Sequence, residues 1–210
     1  TARLLSNAGR PCLVIDRRDG PQRSPAAHVV NARTLEVFRQ AGIDMAAWDA
    51  FARAQKLPLA ELLGGKRRPM PTYNSLGLYN AKTVPQACDE TLERGFAGMK
   101  IKTGWPNFAD DLGAVREAKK RLGDKVALMI DFNQSLTKAE ALARCRALDD
   151  EGLTWIEEPI AADDHIGCAQ IAAEMQTPIQ IGENFQGPFD MANAIAAEAT
   201  DFVMPDPQMI

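Results

Sequence analysis

Short apolar runs alternate with amphipathic stretches along most of this chain, from about Pro71 onward. In the amphipathic stretches apolar residues recur at helical spacing, as at Leu112, Val115 and Ala118. Strands that alternate with helices predict βα units around a parallel sheet. We therefore predict an α/β fold with six strands: Thr72–Leu76, Gly98–Thr103, Ala127–Phe132, Thr154–Glu157, Ile179–Glu183 and Asp201–Met204.

Residues 1–46 have a different pattern. A helix is predicted to end over Arg3–Ala8, a buried strand to run from Pro11 to Asp16, and a helix to cover Asn31–Gln40. A second helical region is predicted over Ala46–Leu63, ahead of a basic stretch that ends at Pro71. Further along, Thr137 and Glu140 have the spacing of a capping box, which predicts a helix start.

Composition narrows the class of protein. The 210 residues are 46% hydrophobic and 25% charged, which is typical of a globular chain and excludes a disordered one. A net charge of −4 argues against a nucleic-acid or anionic-membrane partner, and no apolar run is long enough to span a bilayer. The N-terminus lacks the zones of a signal peptide. The four cysteines are far apart, so we expect reduced thiols and a cytoplasmic location.

Three acidic residues lie at the predicted strand ends. Asp131, Glu157 and Glu183 follow one another at intervals of 26 residues, about one βα unit each. Because parallel strands end at one edge, acids one unit apart converge on the same mouth. Three oxygen ligands there suit Mg²⁺. The alternative is that each acid only caps the helix that follows.

Polar residues flank these acids. Lys100 and Lys102 share one face of the preceding strand, and two close ammonium groups near a metal lower each other's pKa, which would free one as a base. On an exposed edge strand the pair would mean little. Asn133 could donate to a substrate oxygen or form a turn. Alternation puts Glu157 and Glu158 on opposite faces without showing which face is the inner one.

The motifs together resemble the enolase superfamily, specifically its mandelate racemase subgroup, from about Ala41 to Ile210. The matching segments are Ala41–Asp49, Lys100–Lys102, Ile130–Ser135, Trp155–Pro159, Gly182–Asn184 and Met204–Asp206. The resemblance implies a (β/α)8 barrel whose members remove a proton α to a carboxylate with Mg²⁺. A Glu as third ligand, and no lysine near Asp206, favour this subgroup over the muconate cycloisomerase-like one.

The resemblance also implies roles for single residues. Asp131, Glu157 and Glu183 match the metal ligands, which selects Glu157 over Glu158. Lys102 matches the catalytic base, and Lys100 the neighbour that tunes its pKa and contacts the substrate carboxylate. Two further matches are Asn133, a polar contact near the substrate, and Asp206, the acid of a His–Asp dyad. The intact parent is expected to be a homo-oligomer that acts on a small carboxylic acid.

Two departures from the superfamily pattern stand out. Eight units of about 26 residues need more than 200 residues, but only 140 run from Pro71 to the end, so we expect an incomplete barrel of about six units. The histidine of the dyad belongs to a seventh strand. Neither His28 nor His165 is a plausible substitute, since His28 lies outside the barrel and His165 follows two aspartates in a polar loop, where a solvated or capping role is expected.

The second departure is at the N-terminus. Residues 1–45 resemble a class A FAD-dependent monooxygenase just after its dinucleotide-binding glycines, through Leu4–Arg18 and Asn31–Val37. The resemblance implies that Asp16 matches the acid that holds the FAD ribose. The G-x-G-x-x-G motif that should precede Thr1 is missing, so we expect no bound flavin. The two resemblances meet at Ala41–Ile43, where we hypothesise a junction between two unrelated coding fragments.

These expectations divide the chain into a flavin-monooxygenase-like fragment (1–45), a helical lead-in (46–71) and an incomplete barrel (72–210). The first functional hypothesis is a Mg²⁺-dependent 2-hydroxy acid racemase, with activity impaired in this chain. The alternatives are an acid-sugar dehydratase of the same superfamily, a non-catalytic chimeric fragment and a piece of an FAD-dependent monooxygenase.

Overall fold

The computed structural model describes residues 42–206, and the chain divides into two compact units, Thr1–Arg68 and Pro69–Ile210. Several predictions therefore lie outside the described residues: the helix end over Arg3–Ala8, the strand Pro11–Asp16, the helix Asn31–Gln40, and the single residues Cys12 and His28. The domain boundaries after residues 45 and 71 stay predictions.

The described part of the first unit is helical, as predicted for Ala46–Leu63. Helix α1 covers Ile43–Ala54 and helix α2 covers Leu59–Leu62. The two helices are separate because Lys56 has a φ of 56° and Pro58 is extended, with φ −58° and ψ 142°. A left-handed residue and a proline cannot both continue an α-helix.

The second unit alternates strands and helices over its described residues, 69–206. Its strands are β1 (Asn74–Leu78), β2 (Gly98–Lys102), β3 (Ala127–Asp131), β4 (Ile156–Glu157), β5 (Ile179–Ile181) and β6 (Phe202–Val203). Its helices are α3 (Val84–Glu93), α4 (Phe108–Leu122), α5 (Lys138–Leu148), α6 (His165–Ala172) and α7 (Pro188–Ala196). All six predicted strands are present, with ends that move by up to two residues.

The six strands form one parallel sheet in the order β1-β2-β3-β4-β5-β6. Each strand therefore pairs with the one before it in the sequence, with no reversal of order. A doubly wound sheet reverses at a switch point, whereas a (β/α)8 barrel adds its strands consecutively. The α/β prediction is confirmed, and the strand order is that of six consecutive strands of a barrel.

Alternation along each strand separates the core from the polar face. Met99 and Ile101 of β2, and Leu128 and Ile130 of β3, are fully buried in the hydrophobic cluster with the helices. The residues between them point to the opposite face, because side chains alternate along a strand. That opposite face carries Lys100, Lys102, Met129, Asp131, Glu157 and Gln180, and it contains the candidate site.

The helix starts follow local chemistry. Thr137 caps α5 by accepting from the Glu140 backbone N–H, while the Glu140 side chain accepts from the Thr137 backbone, so the predicted capping box is confirmed. Across the described helices, none combines the length and the apolar character that crossing a bilayer requires.

Candidate metal centre

Two of the three predicted metal ligands lie side by side at the carboxyl ends of their strands. Asp131 is the last residue of β3, Glu157 is the last residue of β4, and the two are paired in the register of the sheet. Both side chains are buried, with exposed fractions of 2% for Asp131 and 0% for Glu157. Two buried carboxylates at paired positions of neighbouring strands need a cation or hydrogen-bond donors between them.

Lys100 supplies that cation. Its Nζ atom lies 2.6 Å from Oε1 of Glu157 and 3.5 Å from Oδ2 of Asp131. The Lys100 Nζ atom also lies over the Tyr73 ring, 5.8 Å from the ring centroid. Lys100 is itself only 5% exposed, so the ion pair is held away from solvent. An ammonium therefore occupies the space between the two carboxylates.

The pKa directions follow from this burial. Burial lowers the pKa of Lys100, but the hydrogen bond to Glu157 and the charges of Glu157 and Asp131 outweigh it, so the pKa is raised. Burial raises the pKa of Glu157 despite the hydrogen bond from Lys100. We treat the pair as ammonium and carboxylate, because Asp131 on the other side also favours the charged lysine. The expectation that the two lysines lower each other's pKa concerned a site with a bound metal, and it stays a prediction.

Two aromatic residues complete this part of the site, and sequence reasoning gave neither a role. Trp155 Nε1 donates to Oε2 of Glu157 at 3.3 Å, so the two side chains lie on the same face. Tyr73 packs edge-on against Trp155, with ring centroids 5.6 Å apart. The alternation in Trp155–Glu157 was the available signal for Trp155. Tyr73 precedes β1, where no periodicity identifies it.

Asn133 is placed by Asp131. Its backbone N–H donates to Oδ1 of Asp131 at 2.7 Å, and its Nδ2 donates to Oδ2 at 3.0 Å. Asn133 has a φ of 45°, so it has left the extended conformation of the strand and forms the start of a turn. Both oxygens of Asp131 are thereby oriented. A contact of Asn133 with substrate stays a prediction.

Glu183 lies two residues beyond the end of β5, not at its last residue as predicted. Glu183 is half-buried. Burial raises the pKa values of Tyr73 and Glu158, and the negative charge of Glu183 adds to this rise. Within residues 42–206, no three acidic, histidine or cysteine side chains already form a group that could hold a metal. The structure therefore brings Asp131 and Glu157 together, and the convergence of all three carboxylates on one site stays a prediction.

Gly182 explains how the loop with Glu183 is packed. Its φ is 148°, and a Cβ atom built on it would lie 2.7 Å from the backbone nitrogen of Met204. Any larger residue would push the end of β6 away from β5. The close approach of these two strands therefore fixes the backbone just before Glu183.

The remaining predicted residues are more exposed. Lys102 is the last residue of β2, next to Asp131 in the register, and its side chain is exposed. Asp206 lies three residues beyond β6 and is half-buried. The predictions that Lys102 is the base and Asp206 the acid of a dyad stay predictions.

His165 is not solvated as the sequence suggested. It is the first residue of α6, its side chain is 16% exposed, and its Nε2 atom lies 3.5 Å from Oδ1 of Asp190 on α7. The N-cap role belongs to Asp164, whose Oδ1 accepts from the Gly167 backbone. The polar residues around His165 in the sequence concealed this contact, because Asp190 is 25 residues away.

The donor chemistry at this site fits a divalent cation. Asp131 and Glu157 already hold a positive charge, the Lys100 ammonium, between hard carboxylate oxygens. Such oxygens are the ligands that Mg²⁺ prefers in proteins. A second cation could use the same two carboxylates, with Glu183 as a third, if Lys100 turned toward a bound ligand.

Comparison with known proteins connects this geometry to a family. The family model described as "Enolase C-terminal domain-like" matches residues 83–210, which include every strand from β2 to β6. The chain belongs to this family. Its ion pair between β2, β3 and β4 thus lies inside the family's own fold.

Known relatives cover both racemases and dehydratases. The L-talarate/galactarate dehydratase of Salmonella typhimurium is 38% identical over 78% of this chain and 42% of the relative. The N-succinylamino acid racemase of Amycolatopsis is 34% identical over 77% and 43%. A crystal structure of a Bradyrhizobium enolase complexed with magnesium and mandelic acid is 43% identical, with a TM-score of 0.75 over 82% of this chain and 48% of that one. The chain thus spans less than half the length of these relatives.

The N-terminal resemblance is also confirmed. A model described as "FAD binding domain" matches residues 1–92 and overlaps the enolase model over residues 83–92. The hypothesised junction at Ala41–Ile43 stays a hypothesis.

Proposed function

We propose that residues 69–206 carry the metal-binding and proton-abstracting part of an enolase-superfamily enzyme that acts on 2-hydroxy acids. The observation that carries this proposal is the Lys100 ammonium held at 2.6 Å and 3.5 Å between Glu157 and Asp131, at the carboxyl ends of neighbouring parallel strands. Active sites of barrel enzymes are built at this end of the strands. The magnesium bound by the Bradyrhizobium relative supports the same assignment.

Asp131, Glu157 and Glu183 would hold Mg²⁺. When bound, the ion supplies positive charge next to the negative charge that develops on a substrate carboxylate. Asn133 keeps Asp131 oriented through two hydrogen bonds, and Trp155 keeps Glu157 oriented through one. Ligands held in this way lose little freedom when a cation arrives.

The two lysines have different tasks in this proposal. Lys102, exposed at the end of β2, accepts the α proton of the substrate at its neutral Nζ atom. Lys100, two residues earlier on the same face, turns from the carboxylates to the substrate carboxylate, where its ammonium pairs with the negative charge of that group. In the intact parent, Asp206 would orient the histidine of a seventh strand as the second acid–base group.

Mandelate-like acids are the first candidates for the substrate, with racemisation as the reaction. The second candidate reaction is dehydration of an acid sugar, which the Salmonella relative supports by its name and by 38% identity. Both reactions begin with removal of the α proton. Dehydration then expels the β-hydroxyl group as water and leaves a 2-keto acid.

Hydrogen exchange in D₂O tests the shared first step, because it needs a base on only one face of the substrate. Mandelate and galactarate are each incubated with the chain and Mg²⁺, the α-proton signal is followed by NMR, and 2-keto acid is trapped with semicarbazide. We expect Mg²⁺-dependent exchange that EDTA and Lys102→Ala abolish. Lys125→Ala removes an exposed lysine from another part of the chain and is the matched control.

The outcomes separate the candidates. Exchange of mandelate without 2-keto acid favours the racemase, and 2-keto acid from galactarate favours the dehydratase. Equal, background-level exchange with wild type and Lys102→Ala refutes an enzymatic role for this chain and leaves the non-catalytic fragment. Stoichiometric, tightly bound flavin would instead favour the monooxygenase piece.

We further propose that the chain works in the cytoplasm as a homo-oligomer. The three described cysteines, Cys88, Cys145 and Cys168, are unpaired and buried, which suits a reducing compartment. Ile166 on α6 and Phe189 on α7 are 72% and 86% exposed, which suits a contact between copies. Light scattering that gives only the monomer mass of 22.9 kDa would contradict the oligomer.

A further inference from the structure

A second row of side chains lies immediately behind the candidate metal ligands. Glu158 follows Glu157, Asn184 follows Glu183, and Gln134 is three residues after Asp131. Asn184 Nδ2 donates to Oε1 of Glu158 at 2.7 Å, and Gln134 Nε2 donates to Oε2 at 3.3 Å. One carboxylate therefore connects the loops that follow β3, β4 and β5.

The backbone reinforces this connection. The Gln134 backbone N–H donates to the Glu158 carbonyl at 2.8 Å, and the Glu158 N–H donates to the Gln180 carbonyl on β5 at 3.0 Å. The side-chain oxygen of Gln134 accepts from the Ala162 N–H at 3.0 Å. Each of the three loops is thus bonded to at least one other.

Two residues of this row have unusual backbone conformations. Gln134 has a φ of 62° and Glu158 a φ of 40°, in the left-handed region that residues other than glycine seldom adopt. Such conformations cost free energy and persist where surrounding contacts hold them. The turn at Glu158 directs its side chain to the two amides, while Glu157, one residue earlier, faces Lys100.

Glu158 is 1% exposed, and both of its carboxylate oxygens accept a hydrogen bond. Lys100 connects Asp131 with Glu157, but its ion pairs do not include Glu183. The Asn184 amide is the side-chain contact that ties the loop with Glu183 to the β4 loop. In the structure, Glu158 therefore links the loop that carries Glu183 to the loops that follow β3 and β4, and the Lys100 ion pairs do not.

We propose that Glu158 is a positioning residue that sets the separation of Asp131, Glu157 and Glu183, through Gln134 and Asn184, so that the three carboxylates can close on one cation. This inference rests on the metal site of the proposed function. Glu158 itself does not touch the cation or the substrate.

The test measures Mg²⁺ affinity by titration calorimetry and Mn²⁺ affinity by electron paramagnetic resonance, with unfolding by urea in EDTA beside them. Glu158→Gln keeps the shape but puts an amide group against one of the two donating amides. We expect metal affinity to fall about 10- to 100-fold, as for other groups that orient metal ligands. Asp163→Asn removes one negative charge from an exposed side chain on the same loop and should leave affinity within about twofold.

A double variant separates the contact from the charge. Asn184→Asp alone sets two carboxylates against each other, and we expect weaker metal binding. In Glu158→Gln/Asn184→Asp the glutamine can donate to the aspartate, so the contact is restored with the opposite polarity. We expect this double variant to recover most of the lost affinity, as a positive coupling in the double-mutant cycle.

Other results would overturn the inference. If wild type binds metal and Glu158→Gln binds it equally well, Glu158 does not position the ligands, whatever happens to stability in EDTA. If wild type binds neither ion, the metal site of the proposed function fails with it. Should Glu158→Gln not fold, Asn184→Ala, at an exposed residue, gives the same test.

Discussion

Replacing Lys100 with methionine should leave the carboxylates of Asp131 and Glu157 unpaired and make them repel each other. Methionine keeps most of the length of the side chain but removes the charge that lies between Asp131 and Glu157. Those two carboxylates are buried, so the variant in EDTA contains two close negative charges with no cation between them. We expect a large loss of stability that a divalent cation reverses.

The distances give the magnitude. At an effective dielectric constant of about 20, charges at 2.6 Å and 3.5 Å attract by about 6 and about 5 kcal/mol. Desolvation of the three groups cancels much of this gain, and removing one partner of a buried pair costs about 3–5 kcal/mol in practice. With a urea m-value of about 2 kcal/mol/M, the unfolding midpoint should fall by about 1.5–2.5 M.

The assay is unfolding by urea, followed by circular dichroism, in EDTA and in Mg²⁺. Magnesium should stabilise Lys100→Met more than wild type, because in the variant it no longer competes with an ammonium. Lys102→Met is the control for stability, since its exposed side chain predicts a change within about 0.5 kcal/mol. A Lys100→Met chain as stable as wild type in EDTA, or stabilised no more than wild type by Mg²⁺, would refute the reasoning.

Three other predictions concern the scaffold. Burial alone would raise the pKa of Asp149, but hydrogen bonds from the backbone N–H groups of Gln176 and Thr177 lower this pKa below its usual 3.8. Asp149→Asn should therefore cost about 1–2 kcal/mol of stability at pH 7. That stability is present above about pH 4 and is lost as pH falls through the lower folded value, so urea midpoints of variant and wild type should converge in acid; a constant difference would contradict this. Thr137→Ala removes the cap of α5 and should cost about 1 kcal/mol in the same assay, whereas no loss would mean that the cap is dispensable. Burial raises the pKa of the Cys88 thiol to about 11 and of the Cys145 and Cys168 thiols to about 12. In a Cys12→Ser chain at pH 8, a disulfide reagent should therefore label these three thiols only after unfolding. Rapid labelling of the native chain would contradict this prediction.

The strands were predictable because each is a short apolar run between turns, and the strand order followed from the regular alternation with helices. Equal spacing of the acids predicted the pairing of Asp131 with Glu157, since one βα unit advances the chain by one strand. Strand ends were less predictable. The chain turns left-handed at Asn133, a residue type that favours turns, and at Glu158, a residue type that gives no sign of one.

The alternation of side chains along a single strand could not predict the register between neighbouring strands. It put both lysines of β2 on one face, but the register shows that Lys102 lies beside Asp131 while Lys100 lies beside Met129. The long side chain of Lys100 extends toward the carboxyl end of the sheet and contacts Asp131 and Glu157. The side chain of Lys102, at the end of β2, is exposed. The difference between the ion-paired Lys100 and the exposed Lys102 thus depends on contacts across three strands.

The charged residues of the candidate metal centre lie within the match to the enolase domain and outside the match to the FAD binding domain. Lys100, Asp131, Glu157 and Glu183 all lie beyond residue 92, where the match to the FAD binding domain ends, and inside the match to the enolase domain. The ion pair and the Glu158 contacts arise from strands β2 to β5 and the loops that follow them. The charged side chains of the proposed cation site therefore all come from the enolase-like part, and metal affinity is the property that tests that part by its own chemistry.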